Sequence, residues 1–552
     1  MGVIMQKVLR KLWKKRCTHS RTVNLRTNIG VYKRRIDNKA VRGIFCLSLV
    51  FAMILTLATP GITLARQGDS GYEGGISSGE APNKISYQYQ EPCFLSGTPV
   101  VLSGTLLIKK TLKTDAKTNI QILTTKYTYT LNNTGKAAKL SRALTFVTTI
   151  TPQTDGQKTE STQLTVATET LTVDGVTYKI ANVTDYELSK SILNDIKPAV
   201  NYYAGELWSR KTYRVGTTTT NSDTTVVEST GKYYGYDEYW SSAEAQLISQ
   251  TISQCKPGQD PVIVGKIAID VSTTTKKEVN YFENTPDQIS FAGGYVQSQK
   301  NENILKYTAS LSEIDKNKLP TSKIVKFEAS LKLESFPTQT RLVSPNLNQI
   351  KGHPSEESIS LLFGLGAFKD AVGFEPQEYM SRAEFIDTFV KVAKEVPLDP
   401  VFKAKSTTTS NKNVAVTSLF TDVSTNHMFF NSINEAATRG IVTGNGKSAF
   451  KPESLITVAE SVTMFINSMG LNGLAPNPAP VTSFKDNDTI PAFARSSMYV
   501  AEKIGLIQED AKGYIHPRDK VTKAKAADMM KVYIDYMSTG IRKEYMDRIV
   551  SY

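Results

Sequence analysis

The last third of the chain contains three stretches in which apolar side chains recur every three or four positions. Counted from an alanine in each stretch, apolar residues stand at offsets 0, 3, 6 and 10. This spacing gathers them on one face of an α-helix, so each stretch is predicted to be a helix that buries that face. The three sets are Ala383, Ile386, Phe389 and Ala393; Ala459, Val462, Phe465 and Met469; and Ala524, Ala527, Met530 and Ile534.

A short phrase opens each predicted helix, at residues 381–384, 457–460 and 522–525. A Ser or Thr that accepts a bond from the N–H three residues on, with a Glu there that reaches back, forms a capping box. The box is complete in the first two copies, whereas the third has Lys525 in place of the Glu. A proline precedes each Ser or Thr by five positions, and a glycine-ended helical stretch lies further upstream. Each repeat is therefore predicted to be helix, turn, helix, and the three repeats to share one core.

The order and spacing of these motifs resemble those of S-layer homology (SLH) domains, over roughly residues 343–536. Further motifs that carry the resemblance are Phe420-Thr421-Asp422-Val423, His427, Gly440-Ile441-Val442-Thr443-Gly444 and Phe450-Lys451-Pro452. The resemblance implies an all-α pseudo-threefold bundle that binds secondary cell-wall polysaccharide, typically carrying a pyruvate ketal, and holds exported proteins on the bacterial wall. The expected domains are residues 343–396, 420–471 and 484–536, with a loop insert at 397–419 and a tail at 537–552.

The resemblance also implies binding residues, because the family uses an Arg in the helix-opening phrase, an early Asp and a Trp after the His. Only the first repeat keeps the Arg, as Arg382; the second has Val458 and the third Lys523, and no repeat keeps the Trp. We expect one or two competent grooves, in which Arg382 and free first-turn N–H groups bind a carboxylate. The alternative is that Arg382 is a solvated surface residue or pairs with a neighbouring carboxylate. The predicted polysaccharide-binding residues are Arg382, Lys523, Glu384, Asp422, Thr457, Glu460, Asp486 and Thr522.

The beginning of the chain has the layout of a signal peptide. Residues 1–42 hold thirteen Lys or Arg and one Asp, an apolar run follows at 44–58, and a small-residue site ends at Ala65. We therefore expect residues 1–65 to be a leader that exports the protein. An uncleaved anchor is the alternative, although the apolar run is shorter than the roughly twenty residues that span a membrane. Without the leader the formal charge of +14 falls to about +2, so nucleic acid is not an expected partner.

A β-rich region separates the leader from the repeats. Residues 66–86 are rich in Gly, Ser and charge and are predicted to be a linker, and residues 87–340 are rich in Thr, Val, Tyr and Ile that alternate with period two. Such alternation predicts half-buried strands, and the size fits an all-β, sandwich-like fold. We expect two short helices near residues 186–196 and 242–252. Pro337 and Pro345 mark the expected boundary with the repeats.

One stretch of the β region is crowded with aromatic residues. They could stack on sugars, but the interpretation that they fill the core is favoured. The stretch contains Tyr202, Tyr203, Trp208, Tyr213, Tyr233, Tyr234, Tyr236, Tyr239 and Trp240.

The β region shows no motif for chemistry. All three histidines beyond the leader lie in or beside the repeats, so no His-based triad or metal cluster is expected there, and we predict neither an enzyme nor a cofactor. Cys93 and Cys255 either pair in a disulfide or remain two thiols.

Together these patterns predict an exported cell-surface protein, S-layer or S-layer-associated. Its SLH domains would anchor it non-covalently to the wall polysaccharide, with the β region facing outward and self-association in a surface lattice as a further expectation. The alternative is a wall-tethered carbohydrate-binding protein or polysaccharide-active enzyme whose activity lies in the β region, because the pairing of two carboxylates is spatial and leaves no sequence signature.

Overall fold

A computed structural model describes residues 74–78, 86–153, 156–216, 223–282, 294–315, 319–335, 337–402, 417–444, 448–478 and 481–544. The predicted leader, most of the predicted linker, the centre of the predicted loop insert at residues 403–416 and the last eight residues lie outside these ranges. Within the described ranges, every helix is too short or too polar to cross a membrane.

The β region is one antiparallel sheet. Its strands follow one another in chain order, except that β8 lies between β6 and β9 and that β15 pairs with the first part of β13. The fifteen described strands are β1 (Ile76–Ser77), β2 (Ser86–Cys93), β3 (Val100–Thr114), β4 (Gln121–Asn133), β5 (Ala138–Pro152), β6 (Gln157–Val173), β7 (Val176–Ile180), β8 (Tyr186–Ile196), β9 (Val200–Val215), β10 (Thr224–Glu238), β11 (Ser241–Cys255), β12 (Val262–Phe282), β13 (Gly294–Ile314), β14 (Pro320–Glu334) and β15 (Thr338–Val343).

The sheet curls, so that one face forms an interior. Alternate residues of β4, among them Tyr127, Tyr129 and Leu131, are buried in a core to which strands from β1 to β13 contribute. The two ends of the sheet approach each other, because Asn303 Nδ2 on β13 donates a hydrogen bond of 2.7 Å to Ser77 O on β1. The prediction of strands is confirmed, but a single curled sheet replaces the two packed sheets of a sandwich. The predicted linker is wrong at Ile76, which is buried in β1.

Both short helices predicted in the β region are wrong, because these segments are the strands β8 and β11. Several of their inward-facing residues are polar and have partners in the interior. Lys190 on β8 stands 4.8 Å from the centre of the Tyr233 ring, and Glu244 on β11 accepts a bond of 2.8 Å from Tyr203 OH. Polar residues at these inward positions hide the period-two alternation that identifies a strand.

Seven helices are described in the C-terminal part, and six of them form three helix–turn–helix units. The first helix of each unit packs against the second helix of another unit, α1 against α6, α3 against α2 and α5 against α4, so the units close a ring. The helices are α1 (Glu356–Gly364), α2 (Arg382–Val392), α3 (Phe430–Thr438), α4 (Val458–Met469), α5 (Arg495–Lys503), α6 (Lys523–Asp535) and α7 (Ile541–Glu544).

The three second helices, α2, α4 and α6, meet at the centre of the ring. One aromatic side chain from each helix, Phe389, Phe465 and Tyr533, contacts the other two, with ring centroids 4.8 to 5.3 Å apart. Aromatic contacts of this kind stabilise a core beyond the area that they bury. The prediction that the helices share one core is confirmed.

The sheet binds the C-terminal ends of the same three helices. Trp240 Nε1 donates to Val392 O of α2 at 3.2 Å, and Tyr202 OH donates to Met469 O of α4 at 3.3 Å. Just after α6, Met537 O accepts a bond of 2.9 Å from Ser241 Oγ.

Buried side chains join the sheet and the helical ring in one core. Tyr202, Tyr236, Trp240 and Tyr295 of the sheet belong to the hydrophobic cluster of the helices. The expected boundary near residue 340 therefore does not separate two cores.

The predicted tail and loop insert are both partly fixed to the rest of the protein. A π-helical turn at Tyr536–Gly540 leads from α6 into α7, and Met537 and Ile541 are buried. The predicted tail is therefore part of the core up to this helix. At the start of the insert, Asp399 forms an ion pair of 2.9 Å with Lys110 on β3.

Candidate functional site

Each second helix begins against a turn of another unit. The backbone N–H groups of Arg382 and Ala383 donate to the carbonyl oxygens of Ser454 and Pro452, at 2.9 and 3.1 Å. The same two positions of α4 donate to Asp519 O and Pro517 O, and those of α6 donate to Glu378 O and Pro376 O, at 2.8 to 3.1 Å. We call these contacts the first, second and third junctions, for α2, α4 and α6 respectively.

The caps of the helices also follow the repeat. Ser381 Oγ accepts from Glu384 N at 3.2 Å while Glu384 Oε2 accepts from Ser381 N at 2.8 Å, and Thr457 and Glu460 form the same box. Thr522 Oγ1 accepts from Lys525 N at 3.2 Å, without a return bond. The predicted caps are confirmed. The expectation of free first-turn N–H groups is wrong, because the junction turn and the cap bind them.

Arg382 is the centre of the first junction. Its Nη1 lies 2.7 Å from Glu460 Oε1, its Nε donates to Phe450 O at 2.9 Å, and its guanidinium carbon stands 4.9 Å from the centre of the Phe450 ring. The side chain is only 13% exposed. Arg382 therefore links the first unit to the second. This is the alternative stated for Arg382 above, in which it pairs with a neighbouring carboxylate.

The other two junctions differ from the first in charge. At the third, Lys523 Nζ is ion-paired with Glu378 and lies 5.4 Å from the centre of the Phe374 ring. At the second, the residue that matches Arg382 is Val458, which is uncharged and only 2% exposed. The repeated backbone thus carries an Arg, a Val and a Lys at equivalent positions.

Asp422 and Asp486 hold the turns that face the helices. The two carboxylate oxygens of Asp422 accept from Phe450 N and Lys451 N at 2.7 Å, and those of Asp486 accept from Ile515 N and His516 N at 3.1 and 2.8 Å. Lys451 and His516 have positive φ angles of 59° and 54°, a conformation that L-residues adopt only with support. Desolvation raises the pKa of Asp422, but the bonds from Phe450 and Lys451 outweigh it and hold that pKa below its ordinary value.

The predicted binding residues are therefore distributed over three junctions. Arg382, Glu384, Asp422 and Glu460 come together at the first, Thr457 and Asp486 at the second, and Thr522 and Lys523 at the third.

Sequence reasoning missed the residues that complete the charged junctions. These are Glu378, which pairs with Lys523, and the rings of Phe374 and Phe450 beneath the two cations. Both rings stand two residues before the proline that precedes the helix-opening phrase, in Phe374-Glu375-Pro376 and Phe450-Lys451-Pro452. The fixed distance of this motif from the next helix could have identified them as partners.

Two histidines occupy equivalent positions and support the chain locally. The Nδ1 atoms of His353 and His427 accept from the N–H groups of Ser355 and Phe429, both at 3.1 Å. This arrangement assigns a structural role to both rings. Met428, beside His427 at a family Trp position, is 83% exposed.

The two cysteines are not joined by a disulfide, although both lie in the described part of the chain. Of the two predicted possibilities for Cys93 and Cys255, the structure therefore shows two thiols rather than a disulfide. Cys93 is enclosed at the end of β2, where burial raises the pKa of its thiol to about 12.

The family comparison agrees with this geometry. Residues 419–460, which contain the unit-two side of the first junction, match the family model of the S-layer homology domain. The chain carries an S-layer homology domain. Such a domain is typical of proteins associated with the bacterial cell wall, so this is a protein of the cell surface.

Known relatives include both enzymes and S-layer proteins. An amylopullulanase of Thermoanaerobacterium thermosulfurigenes is 23% identical over 51% of this chain and 13% of its own length. The exoglucanase XynX of Acetivibrio thermocellus is 26% identical over 36% of this chain and 17% of its own length. An S-layer protein of Bacillus thuringiensis subsp. finitimus is 30% identical over 20% of this chain and 13% of its own length. The chain spans less than a fifth of each of these relatives.

Proposed function

We propose that the chain is exported and held non-covalently on a secondary cell-wall polysaccharide by three SLH domains, at residues 343–396, 420–471 and 484–536. One observation carries this proposal: the segment that matches the family lies within a ring of three units with equivalent helix caps and junction bonds. The units on either side of the match repeat its construction. We therefore assign the same domain type to all three.

The polysaccharide in this proposal binds at the charged junctions. Arg382 offers a planar fork of donors that suits a carboxylate, such as that of a pyruvate ketal, and Lys523 offers a compact charge. Both cations already pair with a glutamate of the protein, so a ligand carboxylate would compete with Glu460 or Glu378. The second junction, with Val458, contributes little.

The β region faces away from the wall in this arrangement. The sheet occupies the C-terminal ends of α2, α4 and α6, while the cations stand at their N-terminal ends. The role that we propose is binding and display rather than catalysis. A close pair of carboxylates in the sheet, Glu91 and Glu169, supports this view, because both bind Arg142 in the interior.

Co-sedimentation with cell-wall sacculi tests the anchor. The full-length protein should sediment with native sacculi, lose most of its binding after the secondary polysaccharide is extracted, and lose part of it after the ketal alone is removed by mild acid. Equal sedimentation with native and extracted sacculi would contradict the proposal.

We extend the proposal to self-association, because S-layer proteins are among the relatives. The purified protein should form ordered two-dimensional arrays on isolated sacculi, visible by negative-stain electron microscopy. Bound protein that stays unordered at saturating density would restrict the proposal to a single anchored protein.

A further inference from the structure

A tryptophan is exposed on the outer face of the sheet. Trp208 on β9 is 40% exposed, whereas Trp240, also described, is 1% exposed in the core. The aromatic stretch that contains both is otherwise mostly buried, as the favoured interpretation predicted. Trp208 is the exception, and its position needs a separate explanation.

Small hydroxylated residues surround Trp208. It faces Ser189 on β8 and Thr230 on β10 in register, and Thr230 faces Ser249 on β11. Side chains of this size do not cover an indole ring. The result is a flat apolar ring with hydroxyl groups on both sides along one row of the sheet.

A second row runs beside the first and completes a groove. Glu206 on β9 faces Ser191 on β8 and Lys232 on β10 in register. The two rows line an open groove of about 470 Å³, which is within the size range of sites for small ligands. The lining contains one acidic and one basic side chain, so its formal charge is zero.

The fold does not need an exposed Trp at this position. The inner side of β9 already supplies Tyr203 and Leu207 to a small buried cluster with Ile192 and Tyr233. Leaving a large ring in water forgoes the free energy that its burial would provide. Leu247 on β11 lines the same groove and is 46% exposed, so the exposed apolar surface extends beyond one side chain. An exposed apolar patch rimmed by polar residues is typical of a binding surface.

We propose that this groove binds a neutral polysaccharide. The C–H face of one sugar ring packs on the indole of Trp208, and hydroxyl groups of the sugar exchange hydrogen bonds with Ser189, Thr230 and Ser249. The balanced charge of Glu206 and Lys232 favours an uncharged ligand. The cations of the charged junctions favour an anionic one, so the two sites differ in specificity.

The groove is accessible while the anchor is occupied. Trp208 lies six residues along β9 from Tyr202, which contacts the helices. At a rise of about 3.3 Å per residue the two residues are roughly 20 Å apart. The protein could therefore hold a second glycan away from the wall, and this site stands independently of the anchor.

Affinity electrophoresis of the full-length protein tests the site. We would run the protein through gels that contain xylan, hydroxyethylcellulose or soluble starch, beside Trp208→Ala, Trp208→Phe and Val166→Ala. Val166 is a matched control because it is an exposed apolar residue on β6, outside the groove. Circular dichroism of each variant checks that the sheet is intact.

We expect at least one of these polysaccharides to retard the protein. Trp208→Ala should weaken the apparent affinity at least tenfold, Trp208→Phe should keep part of it, and Val166→Ala should leave it unchanged. The proposal is wrong if none of the three polysaccharides retards the protein, or if Trp208→Ala binds as tightly as the unmodified chain. Dimerisation that Trp208→Ala abolishes, without glycan binding, would assign the face to a second copy instead.

Discussion

The two ends of α2, α4 and α6 are built in different ways. At the N-terminal ends, the same backbone bonds recur three times, and only side chains such as Arg382, Val458 and Lys523 distinguish the junctions. At the C-terminal ends, the partners differ in kind: a phenol from Tyr202 on β9, and an indole N–H and a serine hydroxyl from the consecutive residues Trp240 and Ser241, where β10 turns into β11. A repeated end keeps one backbone frame while its side chains vary, whereas a unique end fixes the orientation of the sheet on the helices.

The distance between the two ends is short. The eleven residues of α2 span about 16 Å at 1.5 Å per residue. If the wall polysaccharide binds at the N-terminal ends, as proposed above, a force on it reaches the sheet through three packed helices. The shared core predicts that the sheet and the helical ring unfold as a single unit.

The largest effect is expected from Trp240→Ala at the C-terminal ends. Removing a fully buried indole leaves a cavity and removes the donor to Val392 O. We expect a loss of about 3–5 kcal/mol in the free energy of unfolding. Because the core is shared, thermal unfolding should stay a single transition, shifted as a whole, by both circular dichroism and calorimetry.

Trp208→Ala is the control for this experiment, since the same residue type is removed from an exposed position. It should change the free energy of unfolding much less. Two separate transitions in the unmodified protein would show that the sheet and the helices unfold independently, against the shared core.

The next effect is a pH dependence at the same end. Glu238 is fully buried, and desolvation raises its pKa to about 8, above the ordinary 4.5. Trp240 N donates to Glu238 Oε2 at 2.8 Å, and Ser241 Oγ lies 2.6 Å from Oε1. A protonated Glu238 can donate to Ser241 Oγ, which leaves the serine proton for Met537 O. In the unfolded chain this carboxyl ionises near 4.5, so the stability that Glu238 contributes should be fully present below that pH and be lost as the pH rises to about 8.

Glu238→Gln tests this pH dependence, because Gln keeps the shape and a donor but does not ionise. The variant should match the parent near pH 4 and exceed it at pH 8, by on the order of a few kcal/mol. Lys277 favours the ionised carboxylate and limits the gain. The pKa shift of Glu169 has the opposite sign. Desolvation raises the pKa of Glu169, but Arg142 and Lys211 outweigh it and lower that pKa to about 2. The stability that Glu169 contributes is therefore constant above pH 5. Parallel pH profiles of parent and variant would contradict the assignment.

The two ends of the helices also differ in how far the sequence predicts them. Helix starts are local features, so the boxes at Ser381 and Thr457 could be predicted within one residue. The contact between Trp240 and Val392 joins residues 152 positions apart and uses a backbone carbonyl, which leaves no local signature. The prediction for β8 and β11 was wrong for a related reason. Their inward-facing polar residues are satisfied by partners on other strands, which the local sequence does not reveal.

The partners of the charged residues at the candidate site could not be predicted from the sequence either. The repeat placed Arg382 and Lys523 at the right ends of their helices, but their partners lie on other units. Glu378 lies 145 positions from Lys523 and reaches it because the first and third units close the ring. A cation can be assigned from its own repeat, whereas its pairing depends on how the repeats assemble.

Arg382→Ala probes the N-terminal ends. It removes the fork that binds Glu460 and Phe450 O, while Glu460 still caps Thr457. We expect wall binding to weaken at least tenfold, about 1.4 kcal/mol, with Lys523→Ala milder. Co-sedimentation with sacculi gives the affinity, and thermal unfolding separates a loss of binding from a loss of fold.

Arg495→Ala is the matched control, because Arg495 is an exposed arginine at the start of α5, outside the junctions. It should bind sacculi like the unmodified protein. If Arg382→Ala binds normally as well, the ligand contact moves to Asp422 or Asp486, whose removal would also release their turns.

The smallest effect is expected at Lys525, where the third junction departs from the repeat. Lys525→Glu would complete the capping box with Thr522 N and replace a cation that opposes the helix dipole. We expect a gain of about 0.5–1 kcal/mol, seen as a higher urea midpoint with an unchanged slope. Lys525→Gln separates the two causes, since Gln can make the return bond without the charge. A gain from Glu alone would assign the effect to the dipole, and a loss from both would mean that Lys525 has a partner that the repeat does not reveal. Wall binding should stay unchanged in either variant, because Lys523 and Glu378 remain in place.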